Sequence, residues 1–200
     1  MPKIEDYALL GDLHTAALVS TAGSIDWLCL PRFDSPAAFA ALLHNDQAGH
    51  WRLAPARAST ATARRYAGNT LVLETDWTTA DGAVRVIDFM PPRADTPHVV
   101  RIAVGLSGEV SMRSVLRLRF DYGRVVPWVR HHGARVDAIA GPDSVRLLSA
   151  VPVQVPAPAG ASRQCPASSL CSSAANAAGE SNRGKHSQSI DPAVLTRAAV

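Results

Sequence analysis

Met112-Arg113-Ser114-Val115-Leu116-Arg117-Leu118-Arg119-Phe120 is the stretch whose reading decides the fold. Met112, Ser114, Leu116, Leu118 and Phe120 recur at every second residue, and Arg113, Val115, Arg117 and Arg119 fill the alternate positions. Successive side chains of an extended chain point to opposite faces, so this is a half-buried β-strand, apolar inside and basic outside. The same period runs outward in both directions. Thr70–Thr78 sets Leu71, Leu73, Thr75 and Trp77 on one face. Ala83–Met90 follows across Asp81-Gly82, a strong hairpin signal. His98–Gly105 aligns Val100, Ile102 and Val104, and Ser107-Gly108-Glu109 reads as a turn before the opening stretch. Ala16–Ser20 and Ile25–Leu30 flank the turn Thr21-Ala22-Gly23-Ser24, and Ala134–Ala140 and Ser144–Ala150 flank Gly141-Pro142-Asp143. One short helix is expected at Ala37–Leu43, with Asp34 as N-cap and Pro36 in the first turn. Ala54–Arg65 is alanine-rich and without a period, and reads as a loop. Short strands, tight turns and little helix predict an all-β chain, an antiparallel β-sandwich.

Composition bounds the rest. The chain has 200 residues, a net charge of +3 and 18% charged residues, which fits one or two soluble domains. No apolar run approaches the roughly 20 residues that span a bilayer, so no membrane contact is expected. Met1-Pro2-Lys3-Ile4-Glu5-Asp6 is acidic where a secretory signal is basic and then apolar. Three cysteines (Cys29, Cys165, Cys171) cannot close a disulfide framework, and the chain reads as cytoplasmic. All 11 aromatic residues lie between Tyr7 and Trp128. Residues 157–200 hold none, and 11 of those 44 residues are Ala and 8 are Ser. Such a segment buries too little apolar surface to offset its ordering entropy. The folding unit is therefore expected over 1–156, with 157–200 a disordered Ala/Ser-rich tail.

Asp12, Asp26, Arg32 and Asp34, with Trp27 between them, form the first chemical cluster. Carboxylates accept from sugar hydroxyls, a guanidinium donates to them, and an indole stacks on a pyranose face. Helix capping by Asp34, ion pairing by Arg32 and burial of Trp27 account for the same residues without a ligand. Hydrolysis of a glycosidic bond with inversion needs an acid and a base about 6.5–9.5 Å apart. The glutamates are Glu5, Glu74, Glu109 and Glu180, and nothing in their placement brings two acids together. His131-His132 stand side by side, which on a strand sends them to opposite faces, so no metal site is expected. Cys29 sits in an apolar strand and reads as inert. Arg113, Arg117, Arg119 and Arg124 interleave with Phe120 and Tyr122, but residues 1–156 carry a net charge of only +1, so no nucleic-acid partner is expected. No phosphate-cradling glycine loop is present, and no cofactor is expected.

The N-terminal run carries a resemblance. Ile4-Glu5-Asp6-Tyr7-Ala8-Leu9-Leu10-Gly11-Asp12, Thr15-Ala16-Ala17-Leu18-Val19 and Gly23-Ser24-Ile25-Asp26-Trp27-Leu28-Cys29-Leu30-Pro31-Arg32-Phe33-Asp34-Ser35-Pro36 follow in order. Gly49-His50-Trp51-Arg52-Leu53-Ala54-Pro55, Asp88-Phe89-Met90-Pro91 and Arg119-Phe120-Asp121-Tyr122-Gly123 continue it. This resembles the N-terminal domain of bacterial glycoside hydrolase family 15 enzymes, the trehalase and glucoamylase-like proteins. The resemblance implies a β-sandwich ahead of an (α/α)6 barrel, where two glutamates perform inverting hydrolysis of α-glucosides such as trehalose or maltooligosaccharides. It implies no catalytic residue in this chain, whose sandwich is incomplete and whose barrel motifs are absent. It implies that Arg32 and Asp34, with Trp27, border the substrate entrance of a full-length enzyme. The change after Val153 from aromatic-bearing strands to Ala, Ser, Pro and Gly is what a shifted reading frame produces. The chain is thus expected to be a non-catalytic domain, or else a carbohydrate-binding or interaction module.

Overall fold

A single 20-residue strand, β9 (His98–Arg117), belongs to both layers of the molecule. The computed structural model describes residues 2–57, 59–151, 170–178 and 194–199. Ahead of β9 come β1 (Ala8–Gly11), β2 (Ala16–Val19), β3 (Ser24–Cys29), β4 (Ala37–Phe39), β5 (His50–Pro55), β6 (Thr60–Tyr66), β7 (Leu73–Thr79) and β8 (Gly82–Phe89). After it come β10 (Trp128–His132), β11 (Arg135–Ala140), β12 (Asp143–Ser149), β13 (Leu170–Ala178) and β14 (Val194–Ala199). One layer runs β1-β2-β3-β5-β9, with β4 on β3 and β13 on β9; the other runs β6-β7-β8-β9-β14-β12-β11-β10. Every pairing is antiparallel. The expected all-β, antiparallel architecture is what forms.

The two layers meet because β9 changes partners along its length. Its first half pairs with β8, from Phe89↔Val100 to Gly82↔Gly108, and its second half pairs with β5, from Pro55↔Met112 to His50↔Arg117. Strands that switch layers need a corner. Gly108 supplies it, with φ +62 and space so tight that a Cβ there would sit 2.1 Å from the Asp81 carbonyl oxygen. Ser107-Gly108-Glu109 is therefore a corner inside one continuous strand and not the expected turn between two. Close approach of Gly82 and Gly108 lets the ladder pass through it.

The opening alternation holds. Met112, Ser114, Leu116, Leu118 and Phe120 are all buried. Leu116, Leu118 and Phe120 join Leu10, Val19, Ile25, Leu28, Phe39 and Trp51 of one layer and Leu73, Val99, Val136 and Leu147 of the other in a shared core. In the first half of β9, Val99, Arg101 and Ala103 are buried together with the expected Val100, whereas the expected Ile102 and Val104 are only half-buried.

Two other expectations are corrected. No α-helix forms over Ala37–Leu43. Ala37–Phe39 is a strand on β3, and the Ala40 amide donates to the Ala48 and Gly49 carbonyls. Ala37 and Ala40 pack with Cys29 and Ala48 in a small buried cluster, so tertiary packing overrides helix propensity. Ala54–Arg65 is not all loop: Thr60–Tyr66 pairs with β7 as an edge strand, which needs only main-chain groups. In the tail, 170–178 and 194–199 run as strands on β9, by the same main-chain bonding. The remainder of 157–200 lies outside the described residues.

Candidate functional site

The Pro31–Pro36 segment leaves β3 and is tied to two other segments. Asp12, whose side chain is fully buried, closes the turn after β1. Its Oδ1 accepts from the His14 and Thr15 amides at 3.0 and 2.8 Å, and its Oδ2 accepts from Arg93 Nε at 2.9 Å. Thr15 in turn donates its hydroxyl to the Cys29 carbonyl at 2.7 Å, and the Phe33 amide donates to the His14 carbonyl at 3.0 Å. The turn 12–15, the loop 31–36 and the segment carrying Arg93 are thereby fixed against one another. Burial alone would raise the Asp12 carboxyl. The Thr15 and His14 amides and the Arg93 guanidinium outweigh it and hold this acid below the usual carboxylate range.

An open groove of about 560 Å³ lies over this junction, lined by Leu13, His14, Arg32, Phe33, Asp34 and Arg93. Arg32 Nε stands 3.2 Å from Asp34 Oδ1, with both side chains largely in solvent. The Ser35 hydroxyl accepts from the Arg32 amide at 3.1 Å. Arg32 and Asp34 are thus brought together as an exposed ion pair, worth little in stability. With no helix over Ala37–Leu43, Asp34 does not serve as the expected N-cap.

Trp27 and Asp26 belong elsewhere. Trp27 is half-buried, its ring 6.1 Å from that of Tyr122 at a 40° tilt, and it does not line the groove. Asp26 accepts from the Tyr7 hydroxyl at 2.9 Å and the Ser24 hydroxyl at 2.5 Å. Burial, reinforced by the hydrogen bond to Asp26, pushes the Tyr7 phenol above its ordinary value. Glu74 lies 2.6 Å from Arg65 and 3.6 Å from Arg85. Glu5 lies 3.3 Å from Lys3 in solvent, and Glu109 is exposed on β9. Asp34 is the one carboxylate lining the groove among the described residues, so the groove offers a recognition surface and not an acid–base pair. His131 and His132 are exposed on β10, and Cys29 is buried with its thiol pushed up by that burial.

Two residues of consequence escaped the sequence reading. Arg93 sits in an irregular segment with no period to mark it. Arg101 is fully buried, donating to Asp88 Oδ1 at 2.8 Å and Oδ2 at 3.1 Å, to the Gly23 carbonyl at 2.8 Å and to the Trp51 carbonyl. Its guanidinium lies 5.4 Å from the Trp51 ring centroid. One cation thereby ties β8 and β9 of one layer to β5 and the β2–β3 turn of the other.

The family described as trehalase-like, N-terminal, matches residues 1–156. A trehalase of Mycolicibacterium smegmatis is 38% identical over 167 residues, covering 72% of this chain and 25% of that protein. A trehalase of Mycobacterium tuberculosis is 37% identical, covering 70% and 23%. A trehalase of Thermoplasma volcanium is 30% identical, covering 66% and 22%. The chain thus spans about a quarter of the length of the curated relatives it matches. No solved structure matches it.

Proposed function

This chain belongs to the trehalase-like N-terminal family, and from that premise we propose that it is the non-catalytic N-terminal domain of a bacterial glycoside hydrolase family 15 α-glucosidase of trehalase or glucoamylase type. The observation that carries the reading is the match of residues 1–156 to one quarter of several trehalases. The full-length enzyme hydrolyses an α-glucoside such as trehalose or a maltooligosaccharide with inversion, its acid and base lying outside the residues matched here. Arg32 and Asp34, with Trp27 on the strand that leads to them, border the substrate entrance of that enzyme. Residues 1–156 carry the domain that the family match covers, and 157–200, of which 170–178 and 194–199 pair with its strands, is sequence of the kind a shifted reading frame yields. Translating the DNA beyond the Val155 codon in all three frames checks that point. The buried thiol of Cys29 is in keeping with a cytoplasmic protein.

The test is direct. The purified chain, incubated with trehalose and with maltooligosaccharides, is expected to release no glucose above background. Turnover abolished by no trace-contaminant control would refute the reading. A carbohydrate-binding module is the second reading, favoured by the open groove beside the exposed Arg32–Asp34 pair. Titration calorimetry against millimolar glucosides separates the two: heat that Arg32→Ala abolishes supports the module, and no heat ends it.

A further inference from the structure

We propose that the outer face of the β10–β12 ribbon is a binding platform for a neutral glucan chain, with Trp128 as its stacking residue. Val136, Ala138, Val145 and Leu147 of this ribbon face the core, so their neighbours along each strand face outward. The register sets those outward residues in cross-strand rows. Trp128, Ile139 and Ser144 form one row, and Arg130, Asp137 and Arg146 form the next, about 7 Å further along the strands. Trp128 and Ile139 stand opposite each other, 63 and 38% exposed. The charged row is ordered. Asp137 Oδ2 lies 2.7 Å from Arg135 Nη2, and its Oδ1 lies 2.7 Å from Arg146 Nε. The hydrogen bonds from Arg135 and Arg146 outweigh the cost of desolvation and hold this acid below the usual carboxylate range. Its oxygens are therefore acceptors only, and each guanidinium keeps N–H donors beyond the bond it makes there. Arg130 stands across from Asp137 and is paired with no carboxylate among the described residues.

The occupant follows from this chemistry. A pyranose presents an apolar C–H face and a rim of hydroxyls that both donate and accept. An exposed indole beside a fixed row of guanidiniums and a carboxylate answers both features. An open groove of about 580 Å³ runs past Arg130, Asp137, Ile139 and Arg146, the size of a small-molecule site. It shares no residue with the groove beside Arg32 and Asp34. A protein partner, a second copy included, needs about 800 Å² on each side around an apolar centre. Here the apolar row is two residues wide, and the charged row separates it from Leu148. A phosphate-like anion would gain from the arginines but would meet the Asp137 carboxylate between Arg130 and Arg146, and it would leave the indole unused.

Maltohexaose and cellohexaose, an α-linked and a β-linked probe, titrated into the full chain to millimolar concentration and followed by amide chemical shifts, test the proposal. At least one of them is expected to shift residues 128–132, 135–140 and 143–149 while leaving 12–15 and 31–36 unmoved, in Arg32→Ala as in the parent. Trp128→Ala is expected to weaken binding at least about tenfold, and Trp128→Phe, which keeps an aromatic face, by no more than about threefold. Arg130→Ala is expected to weaken it about threefold or more. Both side chains are exposed, so the far-ultraviolet spectrum and Tm of these variants are expected to match the parent, which separates lost binding from lost fold. Raising the salt from about 0.05 to 0.5 M is expected to change the affinity less than about twofold, because the sugar is uncharged. Four results would each overturn the platform: no shift with either sugar, shifts confined to 12–15 and 31–36, binding that survives Trp128→Ala, or inorganic phosphate moving the ribbon amides where the sugars do not. A dimer of the free chain that Trp128→Ala dissolves would also overturn it, by giving the face to a second copy. Glucose release by the chain is a separate measurement, and it bears on the domain reading alone.

Discussion

Arg101 is the residue on which the two layers depend most. Both members of the Arg101–Asp88 pair are buried, with side-chain exposures of 0 and 2%. Two charges withdrawn from water are tolerable only when each is fully bonded, and Arg101 meets that condition by reaching carbonyls in the opposite layer. Replacing it with Met strands the Asp88 carboxylate and removes the guanidinium from the Gly23 and Trp51 carbonyls, of which the Gly23 carbonyl keeps the Leu53 amide. The expected cost is about 3–5 kcal/mol, a large share of the roughly 5–15 kcal/mol of a typical domain, measured as a fall in the urea midpoint. Asp12 makes its contribution conditional on pH. Its carboxyl lies below the usual range in the fold, so its stabilisation is present above the unfolded value of about 3.9 and is lost as the pH falls through and below it. The urea midpoint of the parent chain is expected to drop more steeply below about pH 4 than that of Asp12→Asn; superimposable acid limbs would contradict this. Neither role was visible beforehand. An arginine at an inward strand position reads as a break in the pattern until the carbonyls that receive it are known.

At the scale of elements, the strands with strict alternation were legible and those without it were not. β7 places Leu73, Thr75 and Trp77 inward as its pattern requires, and the β2–β3 hairpin turns where Gly23 stands. Gly23 has φ +73, and a Cβ there would lie 2.6 Å from the Leu53 carbonyl oxygen. Gly23→Ala is therefore expected to cost roughly 1–3 kcal/mol, seen as a lower Tm without change in the far-ultraviolet spectrum. Ala37–Phe39 misled because alanine favours a helix when only propensity counts, yet its small side chain also fits a close-packed strand. Thr60–Tyr66 gave no signal because an edge strand is selected by the free main-chain groups of β7, which lie in another part of the sequence. The candidate groove was half legible. The Arg32–Asp34 pair could be named from the loop, but the platform beneath it needs Asp12 and Arg93, 81 residues apart.

Across the whole molecule, the order of strands joins distant parts of the chain. β14 lies between β9 and β12, and β13 covers the far edge of β9. A chain ending at residue 156 loses both, leaving the main-chain groups of residues 98–103 and 146–149 without that strand. Open sheet edges recruit other chains. The shortened chain is expected to bind a hydrophobic dye and to elute as oligomers in size-exclusion chromatography, whereas a monomer with one sharp melt would contradict the structural weight given to the tail strands. The sequence by itself determined the class of fold, the hairpins and the inward faces of β7 and of the second half of β9, because side-chain period and turn chemistry are local properties. Only the tertiary structure decided that β9 serves both layers, that Arg101 joins them, and that Leu13 and Phe33 share one platform. Those outcomes depend on which backbone groups meet across the layers, and that pairing is set by packing between residues far apart along the chain.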